Sequence, residues 1–190
     1  MPRDFSTEKT AGLLIQSIPY LGQKKILKIF SREHGLLSLF AKSTQLSPFC
    51  IAEWVYQKSQ KEIHSLKDSS LIDPLLHIRQ NYNLITSAGG MAQDLLRTQL
   101  PNKGAPELFD LTTLYLKHLP ENPSVLAASF RLKVLYHEGL LSPEPEPLFT
   151  SEEWEQVAIL AFSRHLSTIL SLDSAPFGKI ARLFDEKCHL

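Results

Sequence analysis

Apolar and polar positions along this chain change their period once, near residue 70. Before that point they alternate, as on a strand; after it, apolar side chains recur three and four residues apart, as on a helix. Leu13, Ile15 and Ser17 alternate with Leu14, Gln16 and Ile18, and Pro19-Tyr20-Leu21-Gly22 supplies a turn. In the next run Lys25, Leu27 and Ile29 share one face, while Lys24, Ile26, Lys28 and Phe30 share the other. Gly35 ends a short turn before a run from Leu36 to Lys42, and Phe49 to Gln57 is rich in β-branched and aromatic residues. Glu62 to Leu66 adds a last short strand. Five short strands joined by polar turns predict a small closed barrel rather than an open sheet.

From Asp73 the pattern is helical. Asp73-Pro74 places a capping carboxylate before a first-turn proline, and the segment that follows to Leu100 is interrupted by Gly89-Gly90, which predicts a kink or a close helix contact. Pro106-Glu107 opens a second helix with Leu108, Leu111, Tyr115 and Leu119 on one face. Asn122-Pro123 opens a third, closed by Gly139 just past its end, and this third helix is apolar most of the way round, as a central buried helix is. After the stiff segment Pro143 to Pro147, Thr150-Ser-Glu-Glu153 forms a capping box, with Phe149 and Trp154 at the two staple positions. Ser174-Ala-Pro-Phe177 starts a last helix that ends near Lys187. The expectation is an α+β protein: an OB-fold barrel over residues 1–70, then an α-helical domain over residues 71–190.

Charge adds an asymmetry to this outline. The chain has zero formal net charge, which excludes a globally basic nucleic-acid binder but not a local patch. Residues 1–70 hold 10 Lys and Arg against 6 Asp and Glu, and the remainder holds 10 against 14. An OB barrel tracks a phosphate backbone with cationic side chains, so Lys24, Lys25, Lys28, Arg32 and Lys42 are the nucleic-acid candidates. Lysines on a strand also serve as solubilising or edge-protecting groups. Tyr20, Phe30, Phe40, Trp54 and Tyr56 are the candidates for base stacking, and the same residue types also fill barrel cores. Lys58, Lys61 and Lys67 extend the positive character but fit a solvated face.

Other chemistries lack their residues. Cys50 and Cys188 are isolated, which gives no disulfide framework and no four-ligand zinc site, so no metal and no cofactor are expected. His34, His64, His77, His118, His137, His165 and His189 show no ligand spacing, and no nucleophile elbow, phosphate loop or acidic pair appears, so the expectation is a protein that is not an enzyme. No apolar run is long enough to span a bilayer, and Met1-Pro-Arg-Asp-Phe-Ser lacks the apolar stretch of a signal peptide. Both point to a cytoplasmic protein without membrane contact.

The order of several short motifs resembles the RecO family of bacterial recombination mediators. In front these are Pro19-Tyr20, Phe30-Ser31, Glu33-His34-Gly35 and Ala41-Lys42; behind, Leu108-Phe109, then Phe130-Arg-Leu-Lys-Val-Leu135 with Gly139 and Pro143. The resemblance breaks twice. Pro143 to Pro147 stands where many members carry a four-cysteine zinc insert, and Ser43-Thr-Gln-Leu-Ser-Pro48 replaces a glycine and arginine-rich loop, as in a shortened, zinc-less member. The resemblance implies a DNA repair and recombination mediator that binds single- and double-stranded DNA and promotes annealing. It further implies contact with the tail of single-strand binding protein and, with RecR, loading of RecA; the resemblance alone makes the expected protein nucleoid-associated. Arg131 and Lys133, or Lys179 and Arg182 with Lys187, are the cations placed to hold such an acidic, phenylalanine-ended tail; charge at a helix rim is the other reading. The alternative function is a protein-only adaptor in the same pathway, without direct DNA contact.

Overall fold

The structure is a computed structural model that describes residues 6–188; Met1–Phe5, His189 and Leu190 lie outside the described residues. Five strands come first: β1 (Thr7–Pro19), β2 (Lys25–Ser31), β3 (Gly35–Ala41), β4 (Cys50–Gln57) and β5 (Ile63–Asp73). Helices follow as α1 (Tyr82–Thr98), α2 (Pro106–His118), α3 (Pro123–His137), α4 (Ser151–Phe162), α5 (Leu166–Leu170) and α6 (Phe177–Cys188). The strands close into a barrel in the order β1-β2-β3-β5-β4, with β3 and β5 parallel and the other neighbours antiparallel. That is the five-stranded order of an OB-fold, and the fold class is α+β as the pattern predicts.

Period two builds the barrel core. Leu27 and Ile29 of β2, Leu37, Leu39 and Ala41 of β3, and Cys50, Ala52, Trp54 and Tyr56 of β4 point inward together with Leu14. Each large member contributes about 1.5–3 kcal/mol by leaving water. The two polar aromatics are satisfied at their tips: Trp54 Nε1–H donates to the Gly12 carbonyl at 2.9 Å, and the Tyr56 hydroxyl donates to the Glu8 carboxylate at 2.8 Å. Burial and that carboxylate hold the Tyr56 phenol well above its ordinary value, while the Tyr56 hydrogen bond holds Glu8 below its own.

The barrel departs from the sequence reading in three places. In β1 the register slips between Leu14 and Gln16, and Leu13, Leu14 and Ile15 are all buried, so strict alternation fails across the bulge. Strand β5 extends far past Leu66, because the polar run after it still pairs with β4 while staying mostly exposed. Asp73-Pro74 opens no α-helix: the Asp73 carboxylate accepts the Leu75 N–H at 3.0 Å, and a 3-10 turn runs Leu76–Gln80. Helix α1 starts instead behind Asn81, whose side-chain oxygen accepts the Asn83 N–H at 2.8 Å.

The chain divides into two compact units, one running to Leu76 and including Gln99–Thr113, the other His77–Thr98 together with the chain from Leu114. Within the first, the backbone of Leu100 and Lys103 crowds Gly35. A Cβ there would lie 2.2 Å from the Lys103 carbonyl oxygen, and its φ of +65° belongs to the left-handed region. Within the second, α3 is central as expected, packed against α1, α4, α5 and α6, with Leu126, Phe130, Leu132, Val134 and Leu135 buried. Asn122 caps its start; Gly139 N–H to Tyr136 and Leu140 N–H to Leu135 close its end as a Schellman motif. Its Ser129 hydroxyl donates to the Leu160 carbonyl at 2.6 Å and takes the Tyr115 hydroxyl at 2.9 Å, where burial pushes the phenol up to about 12.

The capping box at α4 forms as the sequence predicts: Thr150 N–H meets Glu153 Oε2 at 2.8 Å, Glu153 N–H meets Thr150 Oγ1 at 3.2 Å, and Phe149 lies on Trp154. Gly89-Gly90 neither breaks α1 nor seats another backbone. A Cβ on Gly89 would meet nothing within 4 Å, and one on Gly90 only the Arg131 guanidinium at 3.7 Å.

Candidate nucleic-acid interface

The β2–β3 hairpin decides where the candidate lysines stand. Lys25 pairs with Ala41, Leu27 with Leu39 and Ile29 with Leu37, so Lys25 has inward parity and sits half-buried at the barrel mouth. Lys28 points outward opposite Ser38 and donates to its hydroxyl at 2.8 Å. Lys24 and Lys42 are exposed just beyond the end of the ladder. Lys24, Lys25 and Lys42 have no carboxylate partner among the described residues. Arg32 differs: its guanidinium clamps Asp110 with two hydrogen bonds, at 3.1 and 2.9 Å, and holds that carboxyl below its ordinary range.

The outward side chains form two rows across β1, β2, β3 and β5. One is Ile18, Ile26, Phe40 and Ser65; the other is Gln16, Lys28, Ser38 and Ile63. Neither row contains a carboxylate. The strand 2–3 face with its flanking loops is where OB barrels take oligonucleotides. Here one flank is the Tyr20–Lys24 turn, fixed by the Tyr20 N–H to Lys24 carbonyl bond at 2.8 Å. The other is the β4–β5 loop, which with Lys28, Ser38 and Asn102 encloses a cleft of about 320 Å³.

That cleft gathers Lys28, Lys58 and Lys61 against a single acid, Glu62. Sequence reading set Lys58 and Lys61 aside as a solvated run; the signal that would have found them is their position in the turn between the last two strands. Lys58 also reaches Glu8 at 3.2 Å. Below the loop, buried His64 stacks on Tyr56 with ring centroids 5.5 Å apart, and its Nδ1 accepts the Ser59 N–H at 3.3 Å. Burial lowers the His64 pKa, so a neutral ring keeps the loop's hydrogen bond.

The five candidate aromatics separate cleanly. Phe30, Trp54 and Tyr56 are buried, with Phe30 packed on Phe109 of α2, whereas Tyr20 is 47% exposed and lies edge-on to outward-facing Phe40 at 6.2 Å.

The helical cations stand otherwise. Arg131 Nε donates to Asp94 at 3.0 Å. Burial pushes that aspartate's pKa up, and the guanidinium draws it partly back. Arg131 also lines a shallow cleft of about 220 Å³ with Ala127, Ala128, Phe177 and Ile180. Lys133 turns its ammonium to the carbonyls of Ala161 and Ser163 at the end of α4, and burial lowers its pKa. Lys179 pairs with Glu153, Arg182 with Glu186 and Lys187 with Glu146. Among the described residues no helix is long and apolar enough to cross a membrane.

Fold and face together define an OB-barrel protein with a helical second unit. The model for the N-terminal part of recombination protein O matches residues 5–75. DNA repair protein RecO of Chlamydia trachomatis serovar L2 is 35% identical over 141 residues, 68% of this chain and 58% of that protein. The RecO proteins of Chlamydia pneumoniae and Caldicellulosiruptor bescii are 30% and 24% identical, over 70% and 69% of this chain and 57% and 58% of their own length. The chain thus spans less than two thirds of the length of these relatives. Its N-terminal part matches the RecO family model, and the chain is similar to RecO proteins over about two thirds of its length.

Proposed function

We propose that this protein acts in DNA repair as a mediator that binds DNA through its barrel and partner proteins through its helices. The observation that carries the reading is the outward β2–β3 face: two rows of side chains without a carboxylate, flanked by Lys24, Lys25 and Lys42, which meet no carboxylate among the described residues. Phosphates of single- or double-stranded DNA would meet Lys24, Lys25, Lys28 and Lys42, and neutralising them lowers the repulsion between two strands, which favours annealing. Arg32, held by Asp110, joins them only by exchanging that partner for a phosphate.

On this reading residues 1–70 are the DNA-binding domain and residues 71–190 the partner-binding one. The Arg131 cleft, with Phe177 and Ile180 beside a guanidinium, suits the acidic, phenylalanine-ended tail of single-strand binding protein. Lys179 and Arg182 are the second choice for that role, since each already has a carboxylate partner. RecR would be engaged by the same helical half, with RecA loaded as a consequence. No chemistry of bond making is assigned to the protein, and its expected place is the cytoplasm, at the nucleoid.

Fluorescence anisotropy of a labelled single-stranded oligonucleotide, repeated across a salt series, tests the DNA reading. The expected result is binding that weakens linearly on a log–log salt plot. Absence of binding at low salt would move the function to a protein-only adaptor.

A further inference from the structure

The barrel disposes of its aromatic residues in two ways, and only one of them is explained by the core. Phe30, Trp54 and Tyr56 are at most 1% exposed and account for themselves by burial. Tyr20 and Phe40 face outward, touching each other edge to face at an interplanar angle of 82°. Neither belongs to the barrel's core cluster. Tyr20 stands on a turn pinned by its own N–H to the Lys24 carbonyl, so the ring's placement is built into the hairpin. Beside it are exposed Ile18, and Lys24 and Lys42, which meet no carboxylate among the described residues.

An exposed aromatic ring framed by cations that meet no carboxylate among the described residues matches a ligand that alternates negative charge with apolar ring faces. Unpaired nucleotides have that character; a duplex presents the same phosphates but hides its base faces inside the stack. We propose that Tyr20, backed by Phe40, is a base-stacking platform, with Lys24 and Lys42 taking the adjacent phosphates, and that it makes the barrel prefer single strands to duplex. This rests on the DNA-binding reading above and adds to it the form of DNA that the face selects. A polypeptide on the same face would have to supply acids against the lysines and apolar groups against Ile18 and Tyr20; it is the competing occupant that the test must separate.

The probes are a single-stranded oligonucleotide carrying 2-aminopurine and a fluorescein-labelled duplex of the same sequence. Full-length protein is compared with Tyr20→Ala and Tyr20→Phe, and the circular dichroism melt reports folding. Tyr20→Ala is expected to weaken single-strand binding by about five- to a hundredfold, the range measured for one stacked base. Duplex affinity should change by less than about twofold and the salt slope should stay the same, because no phosphate contact is lost. Tyr20→Phe keeps the ring and should keep the affinity, and 2-aminopurine emission should change on binding to it but not to Tyr20→Ala.

Equal weakening for single strand and duplex, or unchanged single-strand binding by a folded Tyr20→Ala, overturns the stacking platform while leaving DNA binding in place. If the unaltered protein binds neither probe at low salt, both readings fall, and the face passes to a polypeptide ligand.

Discussion

The barrel and the helical unit use the same cationic residues for different work. In the helical unit Arg97, Arg131, Lys179, Arg182 and Lys187 each meet a carboxylate, and Lys133 meets two carbonyls. Around the β2–β3 hairpin, Lys24, Lys25 and Lys42 meet none among the described residues. A paired cation has its field cancelled at short range, and what remains is positioning; an unpaired one keeps a potential that a polyanion can use. Charge counts alone hide this, since the barrel-side excess is only four. What distinguishes the regions is which cations lack partners, and that is a property of the fold.

Five variants, one of them read by titration, put pressure on that contrast. The largest effect is expected from changing Lys24, Lys25 and Lys28 to Glu together: DNA affinity should fall at least about a hundredfold with the barrel still folded. Anisotropy for binding and the circular dichroism melt for folding read the two separately, and full binding by a folded triple variant would erase the distinction between the regions.

Next comes Arg131→Ala, which strips the partner from buried Asp94 and should cost about 1–3 kcal/mol in urea denaturation. The sign with pH is fixed. Burial already raises the folded pKa of Asp94 above its unfolded value, and losing the guanidinium raises it further. The penalty is therefore absent below the unfolded pKa and grows as pH rises through the folded one, so the deficit should be larger at neutral pH than in acid. A deficit that shrinks as pH rises would mean that the pair is ornamental.

Thr150→Ala, which removes half of the capping box on α4, should cost about 1 kcal/mol and leave DNA affinity alone. A smaller and opposite pH effect belongs to the barrel. The folded pKa of His64 lies below its ordinary 6.5, so the unfolded chain binds the proton first as pH falls. Barrel stability should drop as pH falls from about 6.5 toward the folded value, and His64→Gln should flatten that segment of the denaturation profile. Smallest of all is Arg32→Ala, expected to shift single-strand affinity by less than about twofold because Asp110 already occupies the guanidinium.

Much of the scaffold could be read from the chain because its signals are local. Phe49 to Gln57 is rich in β-branched and aromatic residues, and Thr150 to Glu153 carries its hydrogen-bonding groups three residues apart, so neighbouring residues suffice to predict both. The misreadings share the opposite property. Asp73-Pro74 has the grammar of a helix start, but pairing with β4 carries β5 to Asp73, and the carboxylate closes a turn instead. The tail of β5 runs through polar Lys67 to Ser70 and then adjacent Leu71 and Ile72, so no alternation marks it. Gly89-Gly90 predicts a kink or a close helix contact, but α1 runs unbroken through both, since a helix held by packing against α3 tolerates two glycines.

The candidate site was legible by composition and not by pairing. Its lysines were visible in the sequence, but Arg32 meets an aspartate 78 residues away, and no local pattern announces that. The aromatics likewise depend on distant partners: Trp54 and Tyr56 point into the barrel, Phe30 faces outward but is covered by Phe109 of α2, and Tyr20 and Phe40 face outward against each other.

The salt dependence of single-strand binding, compared between two paired variants, tests the central claim most directly. Each phosphate contact adds about 0.7 to the log–log slope for a single strand, so Lys24→Gln with Lys42→Gln should reduce its magnitude by about 1.4. Lys179→Gln with Arg182→Gln should leave it where it was. A slope unmoved by the barrel pair, or reduced as much by the helical pair, would contradict the assignment of DNA to the lysines around the β2–β3 hairpin.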